Sequence, residues 1–353
     1  TARLREPGFT CSNMFWWYNM YSSVDTAVTP RPMYPADGRK LPDIWTNPPE
    51  LRDRLQRELG PFPLFHFWGP AADIRSSRWI AEASRLVHEA TSPDLQLVYL
   101  PHLDYGLQQL GPEDPAIARH VREIDDLVGE LIDFYRGRNC CVLVVSEYGI
   151  GPVDDAVAIN RILREAGLLA IREERGRELL DAGASKAFAV TDHQIAHVYL
   201  DDDVDSAAIR TLLEASDGID EVLAGEELAS RGLAHERAGD LVCVSGPRRW
   251  FTWDYWLDAE RAPDFARTVD IHRKPGYDPR ELFLDPDRRL VRAGIAWRLL
   301  RKKLGFRTLM DVIPLDTTLV RGSHGRTDLG PDRSPVLLCS ESMDDLPETI
   351  AAT

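Results

Sequence analysis

Leu95-Gln96-Leu97-Val98-Tyr99-Leu100 is a largely apolar run, and Pro101-His102-Leu103-Asp104 follows it directly. A run of this length and composition predicts a buried strand. Asp104 therefore falls just past the carboxyl end of a strand, the edge at which open α/β sheets build their binding sites. We expect the run to belong to the central sheet and Asp104 to belong to a functional site.

The chain continues from this strand into a helix and a second strand. Residues 115–135 place apolar side chains at helical spacing, and residues 140–146 form a continuous apolar run. A strand, a helix and a strand in this order are typical of a parallel βαβ unit, and a continuous apolar run indicates a strand covered on both faces. The order predicts an α/β fold with a mostly parallel sheet.

The pattern changes over residues 204–245. A helical segment, a short strand and a further strand follow one another there, which indicates a small α+β insertion or cap. The whole chain has 353 residues, enough to bury a large core. We expect a single domain over residues 1–353 that carries this insertion.

Composition and charge exclude several classes of partner. The formal net charge is -15, whereas binding to a nucleic-acid backbone needs a basic face. No apolar run approaches the ~18 residues that a membrane helix requires. The five cysteines are scattered without zinc-ribbon spacing, which is typical of reduced thiols. We expect a cytoplasmic protein that binds neither nucleic acid nor membrane, and the sequence does not indicate its oligomeric state.

Two other short motifs carry residues suited to a site. Ser146-Glu147-Tyr148-Gly149 follows the second apolar run, and Val320-Arg321-Gly322-Ser323-His324-Gly325 lies near the end of the chain. A histidine between small residues has little bulk beside it, so its imidazole reaches a ligand or a metal without steric competition. Asp104 and His324 together suggest a metal-assisted hydrolase.

The order of these motifs resembles the nucleotide pyrophosphatase/phosphodiesterase branch of the alkaline phosphatase superfamily. That branch carries Asp-x-x-x-His before Gly-Pro, then Asp-His-Gly after a strand, then a late Gly-x-His-Gly. Here Asp104 and Gln108 precede Gly111-Pro112, Glu147-Tyr148-Gly149 takes the place of Asp-His-Gly, and His324 matches the last histidine. The resemblance implies a three-layer α/β sandwich of alkaline phosphatase type.

The same resemblance implies a reaction. In the family, Asp and His side chains hold two metal ions, which orient a Thr or Ser nucleophile and neutralise the charge that develops on phosphorus. By resemblance, Asp104 and His324 would bind one metal and Glu147 the other, and the nucleophile is expected upstream of Thr1. The implied function is hydrolysis of a phosphodiester or phosphate monoester of a small organic molecule.

The sequence departs from the family's pattern at two positions. Gln108 and Tyr148 stand where the family has imidazoles. An amide oxygen and a phenol with a pKa of about 10 are weak zinc ligands. A set rich in oxygen suits Mg or Mn better than zinc, so the expected cofactor is a divalent ion, Zn, Mn or Mg. Gln108 and Tyr148 are also candidates for substrate binding.

These departures leave a second class of function open. A chain that kept the fold and lost the metals would be a catalytically inactive binding or scaffold protein. Gln108 and Tyr148 favour that alternative. Transfer of a phosphoryl group between two positions of one substrate would use the same site, and the sequence does not separate it from hydrolysis.

Each of several further polar residues has two interpretations, one as part of a functional site and one as part of the structure alone. Asp192-His193 would supply the ligands that Glu147-Tyr148 lacks, or contact substrate; alternatively His193 and His197 share one face of a predicted strand and pack in the core. His102 either binds metal, supports a ligand or is a core histidine. Arg273-Lys274 would hold phosphate or belong to a solvated loop.

Overall fold

The computed structural model describes residues 8–36, 38–328 and 330–342. The chain divides into two compact units. The first unit comprises Thr1–Tyr105, Ala118–Gly149 and Ser334–Thr353, and the second comprises Gly106–Ile117 and Ile150–Arg333. Each unit has its own sheets and its own apolar core, so each is described by itself.

Helices and strands follow one another along most of the described residues. The α-helices are α1 (Glu50–Leu59), α2 (Ile74–Thr91), α3 (His102–Leu110), α4 (Ile117–Arg136), α5 (Ile159–Glu165), α6 (Ser206–Glu214), α7 (Glu226–Ser230) and α8 (Val291–Lys303). Among the residues described, none of these helices is long and apolar enough to cross a bilayer. Short 3-10 turns cover Leu64–His66, Ala182–Ala184, Ala259–Arg261, Asp264–Arg267, Pro279–Leu282, Thr317–Leu319 and Pro331–Arg333.

The strands are short and fall into six sheets within the described residues. They are β1 (Cys11–Met14), β2 (Thr26–Pro30), β3 (Ile44–Asn47), β4 (Leu95–Val98), β5 (Leu143–Val145), β6 (Gly151–Pro152), β7 (Asp155–Val157), β8 (Ile171–Glu174), β9 (Arg177–Leu180), β10 (Ala187–Asp192), β11 (Ile195–Leu200), β12 (Ile219–Ala224), β13 (Leu241–Ser245), β14 (Arg249–Phe251), β15 (Gly322–Ser323) and β16 (Leu337–Cys339).

The main sheet of the first unit has the order β3-β2-β1-β4. β1 pairs in parallel with β2 and with β4, and β3 is antiparallel to β2. Helices α1 and α2 cover it with apolar side chains: Leu55 and Ile80 join Met14 and Val28 in one buried cluster. α2 begins after Asp73, whose carboxylate accepts a hydrogen bond from a backbone N–H of its first turn.

The predicted long helix is present as α4. Leu127, Leu131 and Tyr135 recur at helical spacing and are buried. Leu131 belongs to the apolar stripe that the sequence predicted, whereas Val121 of that stripe is 44% exposed. They form a small cluster that also includes Ala81 of α2. The helix therefore packs one apolar stripe inside the first unit.

The pairing predicted for the flanking strands is wrong. β4 lies beside β1, whereas β5 forms a separate antiparallel pair with β16. Leu143 and Val145 of β5 are 59% and 65% exposed, not covered on both faces. An apolar run indicates that a strand favours burial, but it does not encode which distant segment lies next to it.

The main sheet of the second unit is antiparallel, with the order β10-β11-β13-β12. Leu163 of α5 and Leu213 of α6 are completely buried in one core cluster with Trp253. Residues 204–245 supply β12 and β13, so the segment predicted as an insertion pairs with β11 in one sheet. The chain is thus a mixed α/β protein, and its sheets are more antiparallel than the sequence predicted.

Candidate functional site

The predicted site residues of the first unit converge on Asp104. This residue lies in the first turn of α3, directly after β4. The Tyr148 hydroxyl donates a hydrogen bond to Asp104 Oδ1 at 3.2 Å. Burial, and then the negative charge of Asp104, raise the pKa of Tyr148 far above that of a free phenol. Tyr148 is therefore a neutral donor to the carboxylate at physiological pH and not an anionic ligand.

A second phenol adjoins the same carboxylates. Burial, Asp104 and Glu147 together raise the pKa of Tyr99, so this hydroxyl is also protonated. The Tyr99 ring meets Trp17 edge-on, with 5.7 Å between ring centroids. Glu147 itself is exposed. The first unit thus presents two carboxylates and two protonated phenols, a set of side chains that attracts cations. The sequence predicted Asp104 and Glu147 as ligands of different metals and Tyr148 as a substrate contact; Tyr99 was not predicted.

The predicted site residues of the second unit converge on a pair of imidazoles. The rings of His193 and His324 lie 3.8 Å apart between centroids, tilted by 34°. His193 stands in the tight turn between β10 and β11 with φ 55°, and the Ser323 hydroxyl lies 3.1 Å from its Nδ1. The two segments also join through the backbone, where Gln194 N–H donates to the His324 carbonyl at 2.8 Å.

Both imidazoles are neutral at physiological pH. Burial lowers the pKa of His324 to about 3. Burial, and then the nearby His324, lower the pKa of His193 well below the usual histidine value. A neutral imidazole keeps the lone pair that binds a metal. The pair is therefore held in the protonation state of a ligand.

Tyr277 and Gln108 extend this group. The Tyr277 ring lies 4.5 Å from that of His193, and its hydroxyl is 3.4 Å from the amide of Gln108. Gln108 is completely buried, and its backbone carbonyl accepts a hydrogen bond from the Arg321 backbone N–H at 2.9 Å. Gln108 thus contacts Tyr277, which in turn lies against His193, and no sequence pattern predicted Tyr277.

Two glycines permit the close approach of these segments. A Cβ at Gly276 would lie 2.1 Å from the Thr191 carbonyl oxygen, and its φ is +121°. A Cβ at Gly322 would lie 2.2 Å from the Leu107 carbonyl oxygen. Since real side chains do not tolerate such distances, both positions require glycine. They bring the segments of Tyr277 and His324 against the turn of His193 and against α3.

Lys274 lies in a buried network. Its ammonium is 2.9 Å from Asp278 and 2.6 Å from Glu281, and all three side chains are fully buried. Arg280 pairs with Asp278 at 2.8 Å and with Asp254 at 2.6 Å. The sequence predicted that Lys274 holds phosphate. Its charge has these internal partners in the structure, and its contact with phosphate stays a prediction.

The other predicted residues occupy separate places. Asp192 is exposed at the end of β10, beside the buried His193. Arg273 is 62% exposed and lies 3.1 Å from Asp270, so its predicted contact with phosphate stays a prediction. His102 is buried in the first unit, and its Nε2 lies 2.9 Å from Glu123 Oε2.

The structure therefore assembles two groups, one inside each unit. Asp104 and Tyr148 meet in the first unit; His193, His324 and Gln108 meet in the second. Ser323 and Tyr277 were not predicted. Ser323 lies within the glycine-flanked motif, and Tyr277 follows Gly276, whose positive φ and close backbone contact both favour glycine.

The chain matches a known family over most of its length. Residues 1–278 match the family "Type I phosphodiesterase / nucleotide pyrophosphatase". The chain belongs to this family, as the order of its motifs predicted.

Individual relatives share smaller parts of the chain. An uncharacterized pyrophosphatase/phosphodiesterase of Schizosaccharomyces pombe is 33% identical over 75 residues, which is 20% of this chain and 15% of that protein. Among solved structures, murine ectonucleotide pyrophosphatase/phosphodiesterase 5 matches with a TM-score of 0.42 and 13% identity, over 72% of this chain and 55% of that one. Phosphonoacetate hydrolase from Sinorhizobium meliloti matches with a TM-score of 0.38 and 20% identity, over 54% of this chain and 45% of that one.

Proposed function

We propose that the chain serves metal-dependent hydrolysis of a phosphodiester or phosphate monoester of a small organic molecule. The observation that carries the proposal is the buried pair of neutral imidazoles, His193 and His324, 3.8 Å apart between ring centroids. Membership of the phosphodiesterase/pyrophosphatase family supports the reaction class. The fold that we propose is the three-layer sandwich of alkaline phosphatase type, as one domain with an insertion at 204–245, in a cytoplasmic protein.

The donor chemistry of each group is compatible with a divalent ion. In the second unit, His193 and His324 offer two imidazole ligands, one fewer than the three protein ligands typical of a catalytic zinc site. In the first unit, Asp104 and Glu147 offer carboxylates, the ligands that Mg and Mn prefer. A bound divalent ion would supply positive charge against the phosphoryl oxygens.

The chain's own residues have defined tasks in this proposal. Ser323 hydrogen-bonds His193 and so fixes the orientation of its imidazole. Tyr277 lies against the face of His193, and Gln108 holds the Tyr277 hydroxyl. Tyr148 donates a hydrogen bond to Asp104 and so orients this carboxylate. Exposed Arg273 is the candidate contact for a substrate phosphate.

Loss of the imidazole pair tests the proposal. His193→Ala and His324→Ala are expected to lower the hydrolysis of bis(p-nitrophenyl) phosphate or p-nitrophenyl phosphate, with Mn, Mg or Zn added, at least roughly 100-fold, because each removes a ligand. Metal content of the purified variants is measured in parallel. His235→Ala is the matched control, since this histidine is exposed. Activity and metal content unchanged in both site variants would contradict the proposal.

One observation favours the alternative of a metal-free binding or scaffold protein. The hydrogen bond from Tyr148 gives Asp104 a neutral partner without any metal. The two functions differ in thermal unfolding, because a bound ion stabilises the fold by mass action, by about 2.7 kcal/mol at 100 times its Kd. A rise in Tm with Zn, Mn or Mg that is smaller in His324→Ala than in wild type supports the hydrolase. The same Tm response in wild type and His324→Ala, with all three ions, supports the alternative.

A further inference from the structure

A second cluster of metal-ligating side chains lies in the first unit, apart from the groups assigned above. His102 is the first residue of α3, and His120 and Glu123 lie three residues apart on α4. Residues at this spacing share one face of a helix. One ligand atom from each of the three side chains lies within 4.8 Å of the others.

The two known distances between ligand atoms of this cluster lie on either side of the ligand-to-ligand distance in a tetrahedral zinc site. Glu123 Oε2 lies 2.9 Å from His102 Nε2 and 3.9 Å from His120 Nδ1. Ligand atoms at zinc-bond distances of 2.0–2.2 Å in a tetrahedron are about 3.3–3.6 Å apart. Small shifts of the three side chains, each under about 1 Å, are therefore enough to accommodate the ion.

A buried nitrogen of the cluster lacks a hydrogen-bond partner within the described residues. His102 is only 2% exposed, and within the described residues the buried Nδ1 of His120 has no hydrogen-bond partner. An unsatisfied buried polar atom costs about 1–3 kcal/mol. A metal on His120 Nδ1 removes that cost, and the same Nδ1 already points toward the Glu123 oxygen that His102 contacts.

Arg119 occupies the outer side of the cluster. Its guanidinium lies 3.4 Å from Glu123 Oε1 and 3.3 Å from His120 Nε2, which leaves Oε2 and Nδ1 on the inner side. A metal on Nδ1 places the imidazole proton on Nε2, so Arg119 must release that contact. Its side chain is 64% exposed and moves at little cost. The Arg119 guanidinium therefore competes with the metal for the imidazole of His120, and its removal should strengthen metal binding.

We propose that His102, His120 and Glu123 form a transition-metal site for Zn²⁺. Two imidazoles and one carboxylate are a ligand set typical of zinc, with the fourth position left to water. Occupation of the site ties the beginning of α3, where Asp104 lies, to α4. The site is independent of the proposed hydrolase activity.

Zinc binding to the metal-stripped full chain tests the site. Besides any ion bound by the imidazole pair of the second unit, calorimetric titration with ZnCl₂ is expected to show one equivalent whose Kd rises at least roughly 10-fold in His120→Ala and in Glu123→Gln. Circular dichroism checks that the variants are folded. Glu123→Gln keeps a hydrogen-bonding amide beside His102, so it still tests the site if His120→Ala does not fold. Arg119→Gln is expected to bind as tightly as wild type or more tightly, and His235→Ala is the control.

The outcomes separate this site from the imidazole pair of the second unit. Loss of the equivalent in His120→Ala and Glu123→Gln, with retention in a His193→Ala/His324→Ala double variant, supports the proposal. Wild-type affinity in both cluster variants overturns it. Loss of the same equivalent in the double variant also overturns it, because the zinc then belongs to the other group.

Discussion

At the scale of single residues, Tyr148 is the most consequential departure from the family's pattern. It stands where the resemblance implies an imidazole, and the structure shows why a phenol persists there. Its hydroxyl hydrogen-bonds Asp104 at 3.2 Å, and burial keeps its pKa raised. The side chain therefore satisfies the carboxylate that a metal would otherwise neutralise.

Replacement of Tyr148 by histidine should strengthen metal binding in the first unit. Tyr148→His offers an imidazole next to Asp104, and we expect at least a roughly 10-fold lower Kd for zinc by titration calorimetry. Tyr148→Phe is the matched variant, because it loses the hydroxyl without adding a ligand. It should lose about 1–3 kcal/mol of stability in urea unfolding with no gain in affinity. Equal zinc affinity in the two variants would contradict this role of Asp104.

At the scale of elements, the imidazole pair depends on backbone contacts between short segments. The turn after β10, the segment at Gly276 and the end of β15 meet through glycine and main-chain hydrogen bonds. Tyr277 N–H donates to the Thr191 carbonyl at 2.8 Å. The position of Tyr277 beside His193 is therefore set by the backbone and not by side-chain packing alone.

Gly276→Ala should disrupt this arrangement. Its Cβ would meet the Thr191 carbonyl at 2.1 Å, and we expect a loss of about 3 kcal/mol or more in urea unfolding from strain and displaced backbone. Gly305→Ala is the control, because Gly305 also has a positive φ, +88°, but nothing lies within 4 Å of its Cβ. It should cost about 1 kcal/mol. Comparable losses in the two variants would show that conformation, and not close approach, decides the effect.

At the scale of the whole molecule, a buried charge network contributes to the stability of the second unit. Asp278 accepts hydrogen bonds from Lys274, Arg280 and Trp253 Nε1. Burial opposes ionisation of this carboxyl, but the charges of Arg280 and Lys274 prevail and hold the pKa of Asp278 below its usual value. Removing one partner leaves buried charges unpaired, which costs about 3–5 kcal/mol.

Asp278→Asn should therefore destabilise the protein in a pH-dependent way. The folded state holds a lowered pKa, so the stabilisation is present above the unfolded aspartate pKa of 3.8 and is lost as pH falls through the lower folded value. We expect a loss of about 3–5 kcal/mol at pH 7 in urea unfolding, and a smaller difference from wild type at pH 3. Asp154→Asn, which breaks the exposed pair with Arg248, should change stability little. A difference that does not shrink with acid would contradict the assignment.

Local sequence pattern predicted a good part of the elements. The helix at 115–135 appears as α4, Ile117–Arg136, because amphipathic spacing is a property of neighbouring residues. The family followed from the order of three short motifs, and so did the candidate residues Asp104 and His324. The pair of His193 with His324 was not predicted: the sequence analysis placed His193 with Glu147-Tyr148 and His324 with Asp104. No local pattern indicates the pair, since 130 positions separate His193 from Ser323, its hydrogen-bonding partner.

The sequence by itself determined the helix α4 and the strand β4, the family to which the chain belongs, and the candidate residues for its chemistry. Tertiary structure decided the strand neighbours of β4 and β5, the burial of Lys274 and the contact of Tyr277 with His193. The physical reason is that periodicity records only whether a side chain favours water or apolar surroundings. Which distant segment supplies those surroundings depends on pairing and close approach that no local pattern encodes.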